Sequence, residues 1–234
     1  MFNSLLLLVI LLFSAPVFAG DYVVILHGIA RSSSSMGDIE EYLEGQNYQV
    51  KNIDYPSTDY KVEELVDNVH KQILEAGFEA DKRVHFVAYS MGTLITRMLM
   101  KQYRPENLGR VVFIAPPSEG SEVADFVKDN ILYKEIYGAA GQQLVTDENG
   151  IHNEIKNGEK IDYELGIIAG DRSIDPISSA VIPGKDDGKV ALEKTKIKGM
   201  KDFVVVNSSH TFIITFDDTM KQIDYFLKNG KFDK

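Results

Sequence analysis

Residues Ala88 to Gly92, read Ala-Tyr-Ser-Met-Gly, join two segments of opposite periodicity. Before them, Arg83 to Ala88 (RVHFVA) is a short β-branched and aromatic run of the kind that forms a buried strand. After them, Met91 to Tyr103 carries apolar residues at helical spacing. A strand that turns into a helix through one serine flanked by small residues needs a tight, strained backbone turn, and such a turn lifts the serine Oγ clear of the sheet. The usual pattern is Gly-x-Ser-x-Gly. Here Ala88 replaces the first glycine, and its methyl group is small enough to fit. The competing reading of Ser90, a serine that caps an ordinary helix, uses the same residue type at the same junction.

The rest of the chain repeats the alternation. Tyr22 to Leu26, Tyr48 to Ile53, Arg110 to Ala115, Tyr163 to Ala169 and Asp202 to Val206 read as further strands. Met36 to Glu44, Val62 to Ala76 and Thr219 to Leu227 read as helices, the second with Val62, Leu65, Val66, Val69, Ile73 and Leu74 on one face. Strands that look buried on both faces and alternate with helices predict an α/β fold, a mostly parallel central sheet of about six strands with helices on both faces. Residues 118–150 are the least regular stretch, with helix-like patches around Val123 to Leu132. They are expected to form a variable, cap-like insertion between core strands.

With 234 residues and 44% apolar composition the chain can bury one sizeable core, so residues 20–234 are read as a single domain. Residues 1–19 hold an apolar run (Leu5 to Phe13), then Pro16 and Val17-Phe18-Ala19, which is how a secretory signal peptide ends. An exported, periplasmic or secreted protein is expected; an uncleaved N-terminal membrane anchor is the alternative. Cysteine is absent, which excludes disulfides, zinc thiolate sites and a cysteine nucleophile. A net charge of −10 repels polyanions and argues against nucleic acid as a partner.

In open parallel sheets, ligands gather at the carboxyl ends of strands. Ser90 stands at one such end as a candidate nucleophile. The first strand ends at His27-Gly28-Ile29-Ala30, where Gly28 permits a reversal that aims the next N–H inward. Hydrolases of this architecture take one oxyanion donor from this loop and one from the residue after the nucleophile, which here are the N–H groups of Ile29 and Met91. A serine needs a base, and the chain has five histidines. His27 belongs to the oxyanion loop, His70 to a helix and His85 to a strand, while His152 falls in the loop-like insertion. His210 alone follows the last strand, in Asn207-Ser208-Ser209-His210-Thr211, and is the base by position and elimination. For the acid, Asp171 directly follows a strand, Asp175 lies four residues on, and Asp187 opens an Asp-Gly turn anchored by Val190. The residues alone leave Asp171 and Asp187 nearly even.

Val24-Ile25-Leu26-His27-Gly28-Ile29, Ala88-Tyr89-Ser90-Met91-Gly92, Asp187-Gly188-Lys189-Val190 and Ser209-His210-Thr211 together resemble the lipase branch of the α/β-hydrolase superfamily, most of all small bacterial lipases and esterases. The resemblance implies Ser90 as nucleophile, His210 as base, and Ile29 and Met91 as oxyanion donors. It also implies Asp187, ahead of Gly-x-Val, as the acid, with Asp171 in reserve. It implies cleavage of carboxylic esters through an acyl-enzyme, with no cofactor and no metal, activity falling as acid protonates His210, and an acyltransferase or thioesterase as the alternative. A non-catalytic binding protein on the same fold is a third reading, against which the full set of triad residues counts. The expected partner is a small-molecule or lipid ester, reached in part by contact with a membrane surface. Phe126, Ile131, Leu132, Tyr133, Ile136 and Tyr137 are read either as an acyl pocket or lid or, preferably, as the buried face of a capping helix. Arg31 and Ser32 to Ser35 are read either as a contact for a polar head group or, preferably, as a solvated loop capping the next helix.

Overall fold

A computed structural model describes residues 20–234; the expected signal peptide, residues 1–19, lies outside the described residues. The chain runs β1 (Tyr22–Leu26), α1 (Gly37–Gly45), β2 (Gln49–Ile53), α2 (Val62–Ala76), β3 (Val84–Tyr89), α3 (Met91–Gln102) and β4 (Leu108–Ile114). Three helices follow, α4 (Glu122–Val127), α5 (Ile131–Gln142) and α6 (Ile151–Lys156). It closes with β5 (Leu165–Gly170), α7 (Pro176–Val181), β6 (Asp202–Val206) and α8 (Asp217–Asn229). The six strands form one sheet in the order β2-β1-β3-β4-β5-β6, and every neighbouring pair is parallel.

The two-residue period of a strand sorts the core into two layers. Val24, Leu26, Phe86, Ala88, Val111 and Phe113 pack to one side with α2 and α3. Val23, Ile25, Val87, Tyr89, Val112 and Ile114 pack to the other with α1 and α8. This is the expected α/β-hydrolase architecture.

Helix α2 buries Val62, Leu65, Val66, Val69 and Ile73, as its pattern predicts, but Leu74 is 67% exposed. The reason is angular: twelve steps of about 100° from Val62 put Leu74 about 120° round the helix, off the stripe. The insertion is more regular than expected. It supplies two helices, and the segment holding His152, read as loop, is the first turn of α6. Inside α5 the backbone breaks at Gly138 (φ 56°, ψ −152°), where a β-carbon would collide with the Thr58 carbonyl oxygen.

The sheet is built from β1, with β2 added on one side before the chain crosses to add β3 on the other. The crevice between the carboxyl ends of β1 and β3 is therefore the point where the winding direction reverses, the place where such sheets open to a ligand. Ile29 and Ser90 lie just beyond these two ends.

Candidate active site

Ser90 sits between β3 and α3 with φ 53° and ψ −123°, a conformation that costs a side-chain-bearing residue about 1–3 kcal/mol. The surroundings over-determine it. Its N–H donates to Ile114 O on β4 at 2.9 Å, and its carbonyl accepts from the Thr93 N–H at 3.0 Å and the Thr93 hydroxyl at 2.6 Å. Small neighbours are required on both sides. A β-carbon at Gly92 would lie 2.5 Å from His27 O, and one at Gly28 would lie 2.9 Å from the Tyr89 ring. Although Ser90 holds the N-cap position of α3, its side chain bonds none of the helix N–H groups. Its Oγ lies instead 3.0 Å from His210 Nε2.

His210 hangs in the loop after β6 and is only 9% exposed. Its backbone is pinned at both ends: its N–H donates to Asp187 O at 2.8 Å, and its carbonyl accepts from the Tyr89 hydroxyl at 2.8 Å. The ring Nδ1 lies 2.7 Å from Asp187 Oδ2. A carboxylate there assigns the proton to Nδ1, which leaves the Nε2 lone pair facing the Ser90 hydroxyl.

Asp187 is 2% exposed, and a buried carboxylate must be hydrogen-bonded to stay charged. The Asp-Gly turn provides those bonds: Oδ1 accepts from the N–H groups of Lys189 at 2.9 Å and Val190 at 2.8 Å, with Gly188 at φ 94°. The buried Val190 side chain anchors the turn. Asp171, the reserve acid, points elsewhere and meets the Lys185 ammonium at 3.2 Å. Asp175 caps α7, and its bonds to the hydroxyl and N–H of Ser178 hold its carboxyl down at about 2. Of the three aspartates weighed from sequence, only Asp187 meets His210.

The N–H groups of Ile29 and Met91 donate to no backbone acceptor among the described residues. Ala30, at φ 53°, fixes the reversal that follows Ile29. His27 holds the loop from inside. It is fully buried, and its ring stacks on Tyr55 with centroids 4.0 Å apart. Its Nδ1 lies 2.8 Å from Gly28 O, while the Tyr55 N–H reaches Nε2 at 3.4 Å. Those partners assign a neutral ring with its proton on Nδ1, and burial accordingly lowers the His27 pKa. The remaining histidines are structural. His70 stacks on Tyr103 at 3.9 Å, His85 Nδ1 accepts from the Arg110 N–H at 2.7 Å, and His152 is buried in α6.

Ser90 and His210 open into a cavity of about 290 Å³, walled on one side by Val123, Ala124, Val127, Tyr133, Tyr137 and Leu144. The insertion thus splits in a way neither sequence reading anticipated. Tyr133 and Tyr137 line the cavity, whereas Phe126, Ile131, Leu132 and Ile136 face solvent, Ile131 being 75% exposed. Sequence reasoning also passed over Tyr89 and Tyr55, whose hydroxyls tie the His210 and His27 carbonyls. No spacing rule singles out either tyrosine. Among the described residues no cluster of side chains is suited to hold a metal ion. The arrangement can pass a proton from Ser90 to His210 while Asp187 stabilises the imidazolium that results.

Residues 22–155 match the sequence model of a family described as palmitoyl protein thioesterase. No curated protein sequence matches the chain. Among solved structures it is similar to the mature Bacillus licheniformis lipase BlEst2 (TM-score 0.69, 18% identity, 91% of this chain and 92% of that one). It is also similar to a metagenomic carboxyl esterase (TM-score 0.67, 15% identity, 83% of this chain and 66% of that one). A third similar structure is the Legionella pneumophila phospholipase PlaB (TM-score 0.62, 19% identity, 82% of this chain and 53% of that one). At these identities the structural likeness establishes the fold.

Proposed function

The chain belongs to the palmitoyl protein thioesterase family, within the α/β-hydrolases of lipase, esterase and thioesterase type, and from that membership we propose that it cleaves carboxylic esters through an acyl-enzyme on Ser90. The observation that carries the proposal is the buried relay from Asp187 through His210 to Ser90, with steps of 2.7 and 3.0 Å, opening on a cavity with an apolar wall. Ser90 Oγ attacks the carbonyl carbon while His210 Nε2 takes its proton. Asp187 stabilises the imidazolium, and the N–H groups of Ile29 and Met91 receive the developing oxyanion, each donor contributing on the order of 3 kcal/mol. His210 then protonates the departing alcohol. Water attacks the acyl-enzyme with His210 again as base, and Ser90 regains its proton.

The family match favours a second reading, in which the same relay cleaves a thioester. The acyl-enzyme is identical, and a thiolate leaves with less need of proton transfer than an alkoxide. The exposed apolar side chains of α4 and α5 support contact with a lipid surface as a route for substrate. Labelling with a fluorophosphonate probe tests the central assignment: wild type is labelled and Ser90→Ala is not. The proposal is lost if wild type stays unlabelled, or if Ser90→Ala hydrolyses short p-nitrophenyl esters at the wild-type rate. Matched oxygen and sulfur esters of one short acid then separate the two readings by their ratio of kcat/KM.

A further inference from the structure

The chain has six arginines. Four are spent within the fold, Arg83 on Asp21, Arg97 on Glu159, Arg104 on Asp162 and Arg110 on Glu164. Arg31, like Arg172, has no such carboxylate among the described residues, in a chain that carries a net charge of −10. Its guanidinium lies instead over the Tyr89 ring, 5.7 Å from the centroid. Tyr89 precedes Ser90 and bonds the His210 carbonyl, so this cation is posted beside the reacting groups, and Arg31 lines the cavity that holds Ser90 and His210. The other cation of that cavity, Lys189, is already engaged by Asp175 at 3.3 Å.

Arg31 also belongs to a second, more open depression of about 550 Å³, lined chiefly by polar groups that include Ser32, Ser57, Thr58, Asn68 and Gln72. The two depressions meet at Arg31. One is walled by apolar side chains of the insertion, as an acyl chain requires; the other offers hydroxyls and amides, as a polar alcohol portion requires. The carboxylate in the polar depression, Asp54, is 65% exposed and accepts from the Ser33 N–H at 2.8 Å, so water screens it. A planar guanidinium without a partner is suited to a two-oxygen anion, which it can hold through paired N–H bonds.

We propose that Arg31 receives a carboxylate or phosphate carried on the alcohol portion of the scissile ester, so that the preferred substrates are esters of an anionic alcohol. This rests on the serine hydrolase reading and narrows it to a substrate class. Charge is read on the alcohol side, in the polar depression, while the acyl chain occupies the apolar side.

The test compares hexanoyl esters of three phenols: one with a para carboxylate, one with a para phosphate, and a neutral methyl carboxylate control. In the wild type, kcat/KM for an anionic ester exceeds that of the control by about tenfold to a hundredfold, the range of one charge-assisted hydrogen bond. The carboxylate and phosphate arms show which anion is preferred. The preference weakens as salt rises to about 1 M, where the Debye length is about 3 Å. Arg31→Gln brings the anionic-to-neutral ratio close to one, and Arg31→Lys keeps part of it. Because the readout is a ratio, a general loss of folded enzyme does not imitate the result. Equal wild-type rates on all three esters, or a ratio unchanged in Arg31→Gln, overturn the proposal while leaving the hydrolase reading intact. Failure to hydrolyse any of the three overturns both.

Discussion

The floor of the cavity is made where β1 and β3 end and where the loop after β6 folds back, and there Ser90, Asp187 and His210 are each at most 9% exposed. Its roof is made by α4 and α5, which turn Tyr133 and Tyr137 inward and leave Phe126, Ile131, Leu132 and Ile136 in solvent. The floor is fixed by contacts between residues far apart in sequence, such as Ser90 N–H to Ile114 O and Tyr89 hydroxyl to His210 O. The roof consists of helices of six and twelve residues, too short to be stable by propensity alone. A few polar ties hold it, among them Thr146 to Asp125 and the Tyr133 hydroxyl to Gly141 O. The contrast separates geometry that must not move from a surface that can be remodelled.

Four measurements would break or sharpen that contrast. The largest effect is expected in the floor, from Asp187→Asn. The amide can still accept from Lys189 and Val190 but no longer sets the His210 proton, so kcat on a short p-nitrophenyl ester should fall by ~10⁴ with little change in Tm. A fall below tenfold would remove Asp187 from the relay.

Next in size is pH. His85 is fully buried, and burial pushes its pKa down to about 4; His27 is lowered by the same cause. Between the unfolded value near 6.5 and about 4, the unfolded chain binds protons that the folded one excludes, so stability rises with pH across that window. Acidification from about 6.5 to about 4 should therefore cost on the order of 3 kcal/mol through His85 alone. Urea midpoints that stay level over this range in the wild type would contradict the assignment of a neutral, buried ring.

A steric substitution comes third. Gly92→Ala directs a methyl group at the His27 and Leu26 carbonyl oxygens, backbone atoms that cannot turn aside, and about 1–3 kcal/mol of stability should be lost. Gly45→Ala in α1 meets nothing within 4 Å and should gain about 0.5–1 kcal/mol. Thermal unfolding of both variants gives the comparison, and a Gly92→Ala protein as stable as Gly45→Ala would show that the floor yields.

The smallest stability change belongs to the roof. Leu132→Ser, at a residue 62% exposed, should alter stability by less than about 0.5 kcal/mol while lowering the fraction of protein that sediments with lipid vesicles. Unchanged sedimentation would argue against contact between this face and lipid.

What the sequence discloses of this molecule follows the same division. Ser90 and His210 were legible because each stands where a strand ends, and strand ends can be located from periodicity. Asp187 cannot be separated from Asp171 on residues alone, since Asp171 follows a strand and Asp187 opens an Asp-Gly turn, and only the folding-back of the loop after β6 chooses between them. Leu74 reads as part of the buried stripe of α2 by its apolar character, although the angle from Val62 carries it away. The roof was hardest, because apolar residues on a helix look alike whether they face a core or the solvent. Tyr133 and Tyr137 differ from Ile131 and Leu132 by what lies opposite them, which is tertiary information.

The break in α5 carries that division to a single residue. Gly138 has a backbone conformation that side chains resist, and it presses on the Thr58 carbonyl in the wall of the polar depression. A saturation library across residues 131–142 should accordingly be permissive at the outward positions and intolerant at 138. Chains that diverge in what they accept would then be free to rewrite the lettering of this helix while keeping one mark of punctuation.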